Sequence, residues 1–177
     1  MDCPGGTFTR MARPTVVPIV QRMEIFADHE RQDRVMTDNR PDGQSITVFL
    51  LDDHEMVRRE LRELLGAEPD IRVVGDAGTA ASALTQIRAL HPDVAILDVR
   101  LPDSDGIAVC REVRAQMPET ACLMLTAYHD DQAGRDAIRA GCAGYMLKKI
   151  RSAALPSAVR KVASGQAVLD PDAMSEP

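Results

Sequence analysis

The chain has 177 residues, of which 45% are hydrophobic and only 3% aromatic, so aliphatic side chains must fill its core. Its formal net charge is −6, and residues 45–177 carry 20 acidic against 15 basic side chains, which argues against a nucleic-acid interface because phosphate contacts need clustered Lys and Arg. No CxxC pair and no apolar run near the ~20 residues of a membrane helix occur, so we expect a cytoplasmic chain that binds neither nucleic acid nor a membrane.

Residues 1–44 differ in composition and hydrophobic pattern from the rest of the chain. They contain scattered Pro, Gly and charged residues without a sustained hydrophobic period, and we predict a disordered N-terminal extension. Met36 is a candidate for the true start of translation, which would mean that part of this segment is not genuine, and a docking tail is the functional alternative. We place one folded domain at residues 45–168 and a short tail, the start of a linker, at 169–177.

Short apolar runs alternate with helical patterns through the folded domain. We predict strands at residues 46–51, 71–75, 94–97, 121–125 and 144–147 and helices at residues 54–65, 79–90, 106–117, 131–140 and 152–163. Strands that are apolar along their whole length are typical of a parallel sheet covered on both faces. Right-handed crossovers then give a doubly wound α/β fold.

Polar residues stand where four of these strands end. Asp52 and Asp53 follow the first strand, and Asp98, Thr126 and Lys148 follow the third, fourth and fifth. Because the carboxyl ends of parallel strands share one edge of a sheet, we expect these side chains to form one pocket. Three neighbouring carboxylates need a compensating cation, and Mg²⁺ prefers such oxygen ligands and also binds phosphate. An Asp carboxylate can act as a nucleophile on phosphorus.

Each of these residues also has an ordinary structural explanation when taken alone. A single Asp at a strand end is usually solvated, and Asp53 could cap the helix that begins near His54. Arg58, Arg59 and Arg62 are interpreted as a solvated helix face. The cysteines at 110, 122 and 142 are interpreted as small core residues.

Four segments carry a family resemblance: FLLDDHEMVRREL, PDVAILDVRLPDSDGI, MLTAY and AGCAGYMLKK. In this order and at this spacing they resemble the receiver domain of bacterial two-component response regulators, and within that family the NarL/LuxR-type branch. The resemblance covers residues 45–170. It implies a flavodoxin-like (βα)5 fold whose five-stranded parallel sheet has the strand order 2-1-3-4-5.

The resemblance also implies roles for individual residues. Asp98 matches the aspartate that accepts a phosphoryl group from a sensor histidine kinase. The implied Mg²⁺ ligands are Asp52, Asp53, Asp98 and the backbone carbonyl of Arg100. Thr126 and Lys148 would stabilise the phosphoryl group, and Thr126 and Tyr145 would form the switch.

Phosphorylation would change the protein-contact face at residues 131–163, which is also a candidate surface for a homodimer. The branch normally continues into a helix-turn-helix domain, and this chain has no residues for one, so we expect the input part of a transcriptional regulator. A fragment, a truncated gene product and a stand-alone receiver all stay open. We expect no enzymatic turnover beyond self-phosphorylation and self-dephosphorylation.

Two rival hypotheses have different chemistry. An aspartyl phosphatase would need a second Asp two residues after Asp98, where Arg100 stands. A degenerate receiver would keep the fold and its protein contacts but would not be phosphorylated.

Overall fold

The computed structural model describes residues 45–128, 130–148 and 154–170, so the predicted N-terminal extension lies outside the described residues. The strands are β1 (Ile46–Leu51), β2 (Ile71–Ala77), β3 (Val94–Asp98), β4 (Ala121–Thr126), β5 (Gly144–Leu147) and β6 (Val168–Leu169). The helices are α1 (Glu55–Gly66), α2 (Ala80–Leu90), α3 (Gly106–Gln116), α4 (Asp131–Arg139) and α5 (Ala154–Ala163). Within these residues, none of the helices has the length and apolar character that a membrane span requires.

The strands form a single parallel sheet in the order β2-β1-β3-β4-β5-β6. The predicted order of the first five strands is therefore confirmed. The strand order reverses at β1, with β2 on one side of it and β3 on the other, which is the topology of a doubly wound fold.

Two hydrophobic clusters cover the two faces of the sheet, because successive side chains of a strand point to opposite sides. Phe49 and Leu51 belong to a cluster that includes residues of α2, α3 and α4. Val48 and Leu50 belong to a second cluster with residues of α1 and α5. Both faces of the central strands are thus buried, as the uniformly apolar strand sequences predict.

The helix ends follow from local sequence. Asp105 and Asp130 cap α3 and α4 by accepting hydrogen bonds from backbone N–H groups in the first turn. Gly141 and Gly165 have positive φ values of 90° and 83°, and each ends its helix in a Schellman motif.

The sixth strand was not predicted. After α5, Gly165 turns the chain back so that Val168 pairs with Gly144 and Leu169 with Tyr145. The backbone N–H of Asp170 also donates to the carbonyl of Tyr145 at 3.0 Å. The strand therefore runs across the predicted boundary between residues 168 and 169.

Candidate functional site

The strand ends are aligned at one edge of the sheet. Residue pairing joins Leu51 to Leu97, Asp98 to Leu125 and Thr126 to Leu147. The polar residues predicted to meet are therefore at the same level: Asp52 and Lys148 directly follow β1 and β5, while Asp98 and Thr126 end β3 and β4.

Lys148 joins the two buried carboxylates of this edge. Its Nζ lies 2.5 Å from Asp98 Oδ2 and 2.6 Å from Asp52 Oδ2, and both carboxylates are nearly inaccessible to solvent. Burial raises the pKa of the Asp98 carboxyl, and the Lys148 ammonium opposes this only in part. Burial by itself would lower the pKa of Lys148, but the hydrogen bonds that its ammonium group donates to the two carboxylates outweigh this effect, and the pKa is raised. Lys148 therefore stays charged between two acids.

Asp53 and His54 complete an acidic cluster with Asp52 and Asp98. One potential ligand atom from each of these four residues lies within 4.8 Å of the others. The carboxylate oxygens suit Mg²⁺, which typically uses one or two carboxylates together with water and phosphate. The donor set of this cluster therefore fits a divalent cation.

The loop after β3 is held close to Asp98. The backbone N–H of Arg100 donates to Asp98 Oδ1 at 3.3 Å, and Arg100 pairs with Asp105 in a short antiparallel bridge. The Arg100 side chain is 71% exposed and reaches Asp130 and the ring of Tyr128. It therefore points away from Asp98, at the position where an aspartyl phosphatase would need a second Asp. The role of the Arg100 carbonyl stays a prediction.

Gly106 lets α3 begin directly beside the site. A Cβ atom at this position would lie 1.8 Å from the Asp98 carbonyl oxygen. The N–H of Gly106 also donates to the carbonyl of Val99 at 2.9 Å. Only a residue without a side chain allows this approach of a helix to the backbone of Asp98.

Arg58 supports the acid pair from α1. Its Nη1 donates to the Asp52 carbonyl at 2.7 Å, and its Nε donates to Asp76 Oδ2 at 2.9 Å. The Arg58 side chain is only 17% exposed, and Arg62 also pairs with Asp76. The prediction that Arg58 belongs to a solvated helix face is therefore wrong, because Asp76, the residue before the last one of β2, binds it.

Thr126 and Tyr145 lie on neighbouring strands. The Thr126 hydroxyl donates to the Tyr128 carbonyl at 3.0 Å, so it is engaged with the loop that follows β4. Tyr145 is fully buried, and its hydroxyl has no hydrogen-bond partner within the described part of the chain. Burial raises the pKa of Tyr145, an effect that the nearby Thr126 side chain offsets only in part. In the loop after Thr126, Tyr128 is exposed and His129 lies outside the described residues.

Comparison with known proteins identifies this arrangement. Residues 48–160 match the response regulator receiver domain family. The chain belongs to this family. The resemblance inferred from the sequence motifs is thereby confirmed.

Relatives of this receiver domain are regulators of the NarL/LuxR type. It is 51% identical over 125 residues to the DNA-binding transcriptional activator DevR/DosR of Mycobacterium tuberculosis, a match that covers 71% of this chain and 58% of that protein. It is 32% identical over 130 residues to the response regulator VraR of Staphylococcus aureus, covering 73% and 62%. The receiver domain thus spans less than two thirds of the length of these relatives.

Solved structures agree with the fold. A two-component response regulator of the LuxR family from Aurantimonas sp. SI85-9A1 matches with a TM-score of 0.70 and 29% identity, covering 73% of this chain and 93% of that one. The signal receiver domain of the response regulator NarL from Mycobacterium tuberculosis matches with a TM-score of 0.66 and 33% identity, covering 70% and 99%.

The receiver domain contains two site residues that sequence reasoning did not assign. His54 precedes α1, where the sequence predicts the start of a helix, and its ring also contacts the acid pair. Arg58 could not have been recognised from its local sequence, because it stands beside Arg59 and four residues before Arg62 on the same helix.

Proposed function

We propose that this receiver domain accepts a phosphoryl group on Asp98 from a sensor histidine kinase and passes the signal on through a change of its protein-contact surface. The observation that carries the proposal is the buried Asp98 carboxylate, bound by Lys148 beside Asp52 at the carboxyl edge of the sheet. A structural ion pair would need one carboxylate, whereas this lysine serves two acids next to a third.

The transfer is a nucleophilic displacement at phosphorus. A carboxylate oxygen of Asp98 forms a P–O bond while the P–N bond of the kinase phosphohistidine breaks, and the electron pair of that bond returns to the imidazole nitrogen. Lys148 neutralises negative charge that gathers near Asp98 during the transfer. Mg²⁺, held by Asp52, Asp53, Asp98 and the Arg100 carbonyl, would supply further charge neutralisation.

The switch would act through Thr126 and Tyr145. A phosphoryl group adds about two negative charges and new acceptor oxygens beside Asp98, which compete for the Thr126 hydroxyl. Thr126 would then leave the Tyr128 carbonyl, and the space that it vacates is next to Tyr145. Local charge is thereby converted into a rearrangement of β4, β5 and the helices that flank them.

The wider role follows from the relatives. We propose that the chain is the input part of a transcriptional regulator in the cytoplasm, because DevR/DosR is a DNA-binding transcriptional activator. We also propose a homodimer through the surface at residues 131–163, of which residues 149–153 lie outside the described residues. Sedimentation with and without beryllium fluoride tests the dimer, and an unchanged monomer under both conditions would reject it.

Intact-mass measurement after incubation with acetyl phosphate and Mg²⁺ tests the phosphorylation site and self-phosphorylation together. The wild type should gain one phosphoryl group, and Asp98→Asn should gain none. Glu119→Gln is a matched control, because it makes the same carboxylate-to-amide change at an exposed loop position. Equal phosphorylation of Asp98→Asn, or none of the wild type, would reject the proposal. Continuous release of inorganic phosphate from small esters would instead support the phosphatase hypothesis.

A further inference from the structure

Asp103 connects two loops at the carboxyl edge of the sheet. It stands in the loop between β3 and α3, and its carboxylate accepts the backbone N–H of Ala80, with distances from the nitrogen of 3.2 Å to Oδ1 and 3.0 Å to Oδ2. Ala80 is the first residue of α2, which follows the loop after β2. A side chain of one loop is therefore bound to the start of the helix that follows another.

Capping of α2 does not by itself account for this contact. The N-cap residue, Thr79, already accepts the N–H of Ser82 through its own side chain at 3.4 Å. Asp103 stands 23 residues after Ala80, in a stretch of loop that is exposed from residue 102 to residue 105. Because the carboxylate reaches from an exposed loop to the backbone of a buried residue, the hydrogen bond restrains the loop as well as the helix.

The start of α2 is fixed relative to the acid pair. The backbone N–H of Asp52 donates to the carbonyl of Ala77 at 3.2 Å, just before the cap of α2. Gly78 lies against Arg58, since a Cβ atom there would be 3.1 Å from the same Nη1 that binds the Asp52 carbonyl. The group to which Asp103 is bound is thus joined by short contacts to the backbone of Asp52.

The loop that Asp103 restrains is the one that approaches Asp98. The Arg100 N–H reaches Asp98 Oδ1 over 3.3 Å, and Leu101 packs against the core, whereas residues 102–105 are exposed. Among the described residues, few contacts hold the outer part of this loop. Loss of one hydrogen bond to a neighbouring element would therefore let it move.

We infer that Asp103 is a positioning residue, whose bond to the Ala80 N–H holds the loop at residues 99–105, and with it the proposed carbonyl ligand at Arg100, in place beside Asp98. The inference rests on the proposed function, because it concerns the Mg²⁺ site of that function. The apparent affinity for a cation falls with the fraction of molecules in which a ligand-bearing loop is in place. In the bound state the loop is in place with or without Asp103.

Two simpler interpretations make different predictions. If Asp103 only caps α2, its removal lowers the free energy of unfolding but leaves the Mg²⁺ affinity unchanged. If only its negative charge attracts the cation, Asp103→Asn should weaken Mg²⁺ binding as much as Asp103→Ala does. The amide oxygen of Asn can still accept the Ala80 N–H, so Asn separates the hydrogen bond from the charge.

Ala80→Pro makes the complementary change, because it removes the N–H and keeps the charge of Asp103. Proline suits the first position of a helix, where its fixed φ is already helical. It also requires an extended residue before it, and Thr79 has φ −137° and ψ 150°. The backbone of α2 can therefore accept this proline.

Titration with Mg²⁺ followed by NMR measures the affinity. Asp103→Ala and Ala80→Pro should each raise the Kd for Mg²⁺ about fivefold, the typical worth of one capping hydrogen bond, while Asp103→Asn should raise it less than about twofold. Ser104→Ala, at the neighbouring exposed position of the same loop, is the matched control and should leave the Kd unchanged. A wild-type Kd in Asp103→Ala would overturn the inference, and so would a Kd in Asp103→Asn as high as in Asp103→Ala together with a wild-type Kd in Ala80→Pro.

The dependence of the phosphorylation rate on Mg²⁺ distinguishes positioning from damage to the site. With acetyl phosphate and saturating Mg²⁺, Asp103→Ala should react within about twofold of the wild-type rate, because every molecule then has its loop in place. A rate that stays well below this at saturation would contradict a positioning role. The Ala80 amide should also exchange with deuterium faster in Asp103→Ala than in Ser104→Ala, and equal exchange would show that the hydrogen bond is not formed in solution.

Failure of this inference differs from failure of the proposed function. If the wild type binds Mg²⁺ and is phosphorylated on Asp98 while Asp103→Ala matches its Mg²⁺ affinity, only the positioning role is rejected. If the wild type neither binds Mg²⁺ nor gains a phosphoryl group, the proposed function is rejected, and the role of Asp103 with it.

Discussion

Replacement of Gly106 by Ala should destabilise the domain and impair phosphorylation together. The added Cβ would lie 1.8 Å from the Asp98 carbonyl oxygen and 2.8 Å from its carbonyl carbon, where ordinary contact begins at 3.4 Å. An overlap of this size with backbone cannot be relieved by turning a side chain, so it belongs to the upper end of the overpacking range, about 3 kcal/mol. Alanine regains up to about 1 kcal/mol through its helix propensity.

The expected net loss is therefore about 2–3 kcal/mol in the free energy of unfolding, or a Tm about 10 °C lower for a domain of this size. Urea denaturation followed by circular dichroism measures it, since the chain has no Trp for fluorescence. Relief of the overlap requires a shift of about 1 Å in α3 or in the Asp98 backbone, and a displacement of this size can slow a positioned reaction about 100-fold. The rate of phosphorylation by acetyl phosphate should fall accordingly.

Gly66→Ala is the matched control. No heavy atom lies within 4 Å of a Cβ at this position, and Gly66 is the last residue of α1. This variant should be as stable as the wild type or up to about 1 kcal/mol more stable, with an unchanged rate of phosphorylation. If Gly106→Ala had wild-type stability and wild-type phosphorylation, the close approach of α3 to Asp98 would not constrain the site and the reasoning would be refuted.

Three further predictions concern groups outside the pocket or at its margin. Arg160→Ala should lower the free energy of unfolding by about 1 kcal/mol at pH 6 and by much less at pH 2. The Arg160 hydrogen bond lowers the pKa of Asp70, so the stabilisation that this bond provides is lost as the pH falls through that lowered pKa. A difference in unfolding free energy that does not depend on pH would contradict this. Tyr145→Phe should be equally stable or about 1 kcal/mol more stable, because it removes a buried hydroxyl for which the described residues provide no hydrogen-bond partner, and a clear loss in urea denaturation would show that the hydroxyl is satisfied. Burial raises the pKa of Cys142 to about 12, so iodoacetamide at pH 8 should leave this thiol unmodified in the native protein and modify it after unfolding; rapid native-state labelling, mapped by mass spectrometry, would contradict its burial.

The strands that build the site could be predicted because each is an uninterrupted apolar run that ends in a polar residue. The convergence of Asp52, Asp98 and Lys148 then follows from the geometry of a parallel sheet, without knowledge of any side-chain contact. Burial of the cysteines at positions 110, 122 and 142 was also predicted correctly.

The remaining features depend on tertiary contacts that leave no local signal. Val168 and Leu169 are too few to read as a strand, and they become one only because Gly165 directs them to the edge of β5. Arg58 and Arg59 are adjacent arginines on one helix, yet Arg58 is held by the ends of β1 and β2 while Arg59 pairs with Glu63 on the surface. The positions of the Asp52 carbonyl after β1 and of Asp76 near the end of β2 distinguish them.

The sixth strand connects the backbone of Tyr145 to residues 168–170. The Asp170 N–H is hydrogen bonded to the Tyr145 carbonyl, and Leu169 is its partner in the sheet. A displacement of Tyr145 must therefore either carry residues 168–170 with it or break their hydrogen bonds. The rate at which the Asp170 amide exchanges with deuterium would report which of these occurs. In this receiver domain a movement that begins at a buried ring can reach the end of the sheet through two strands, without passing through a helix.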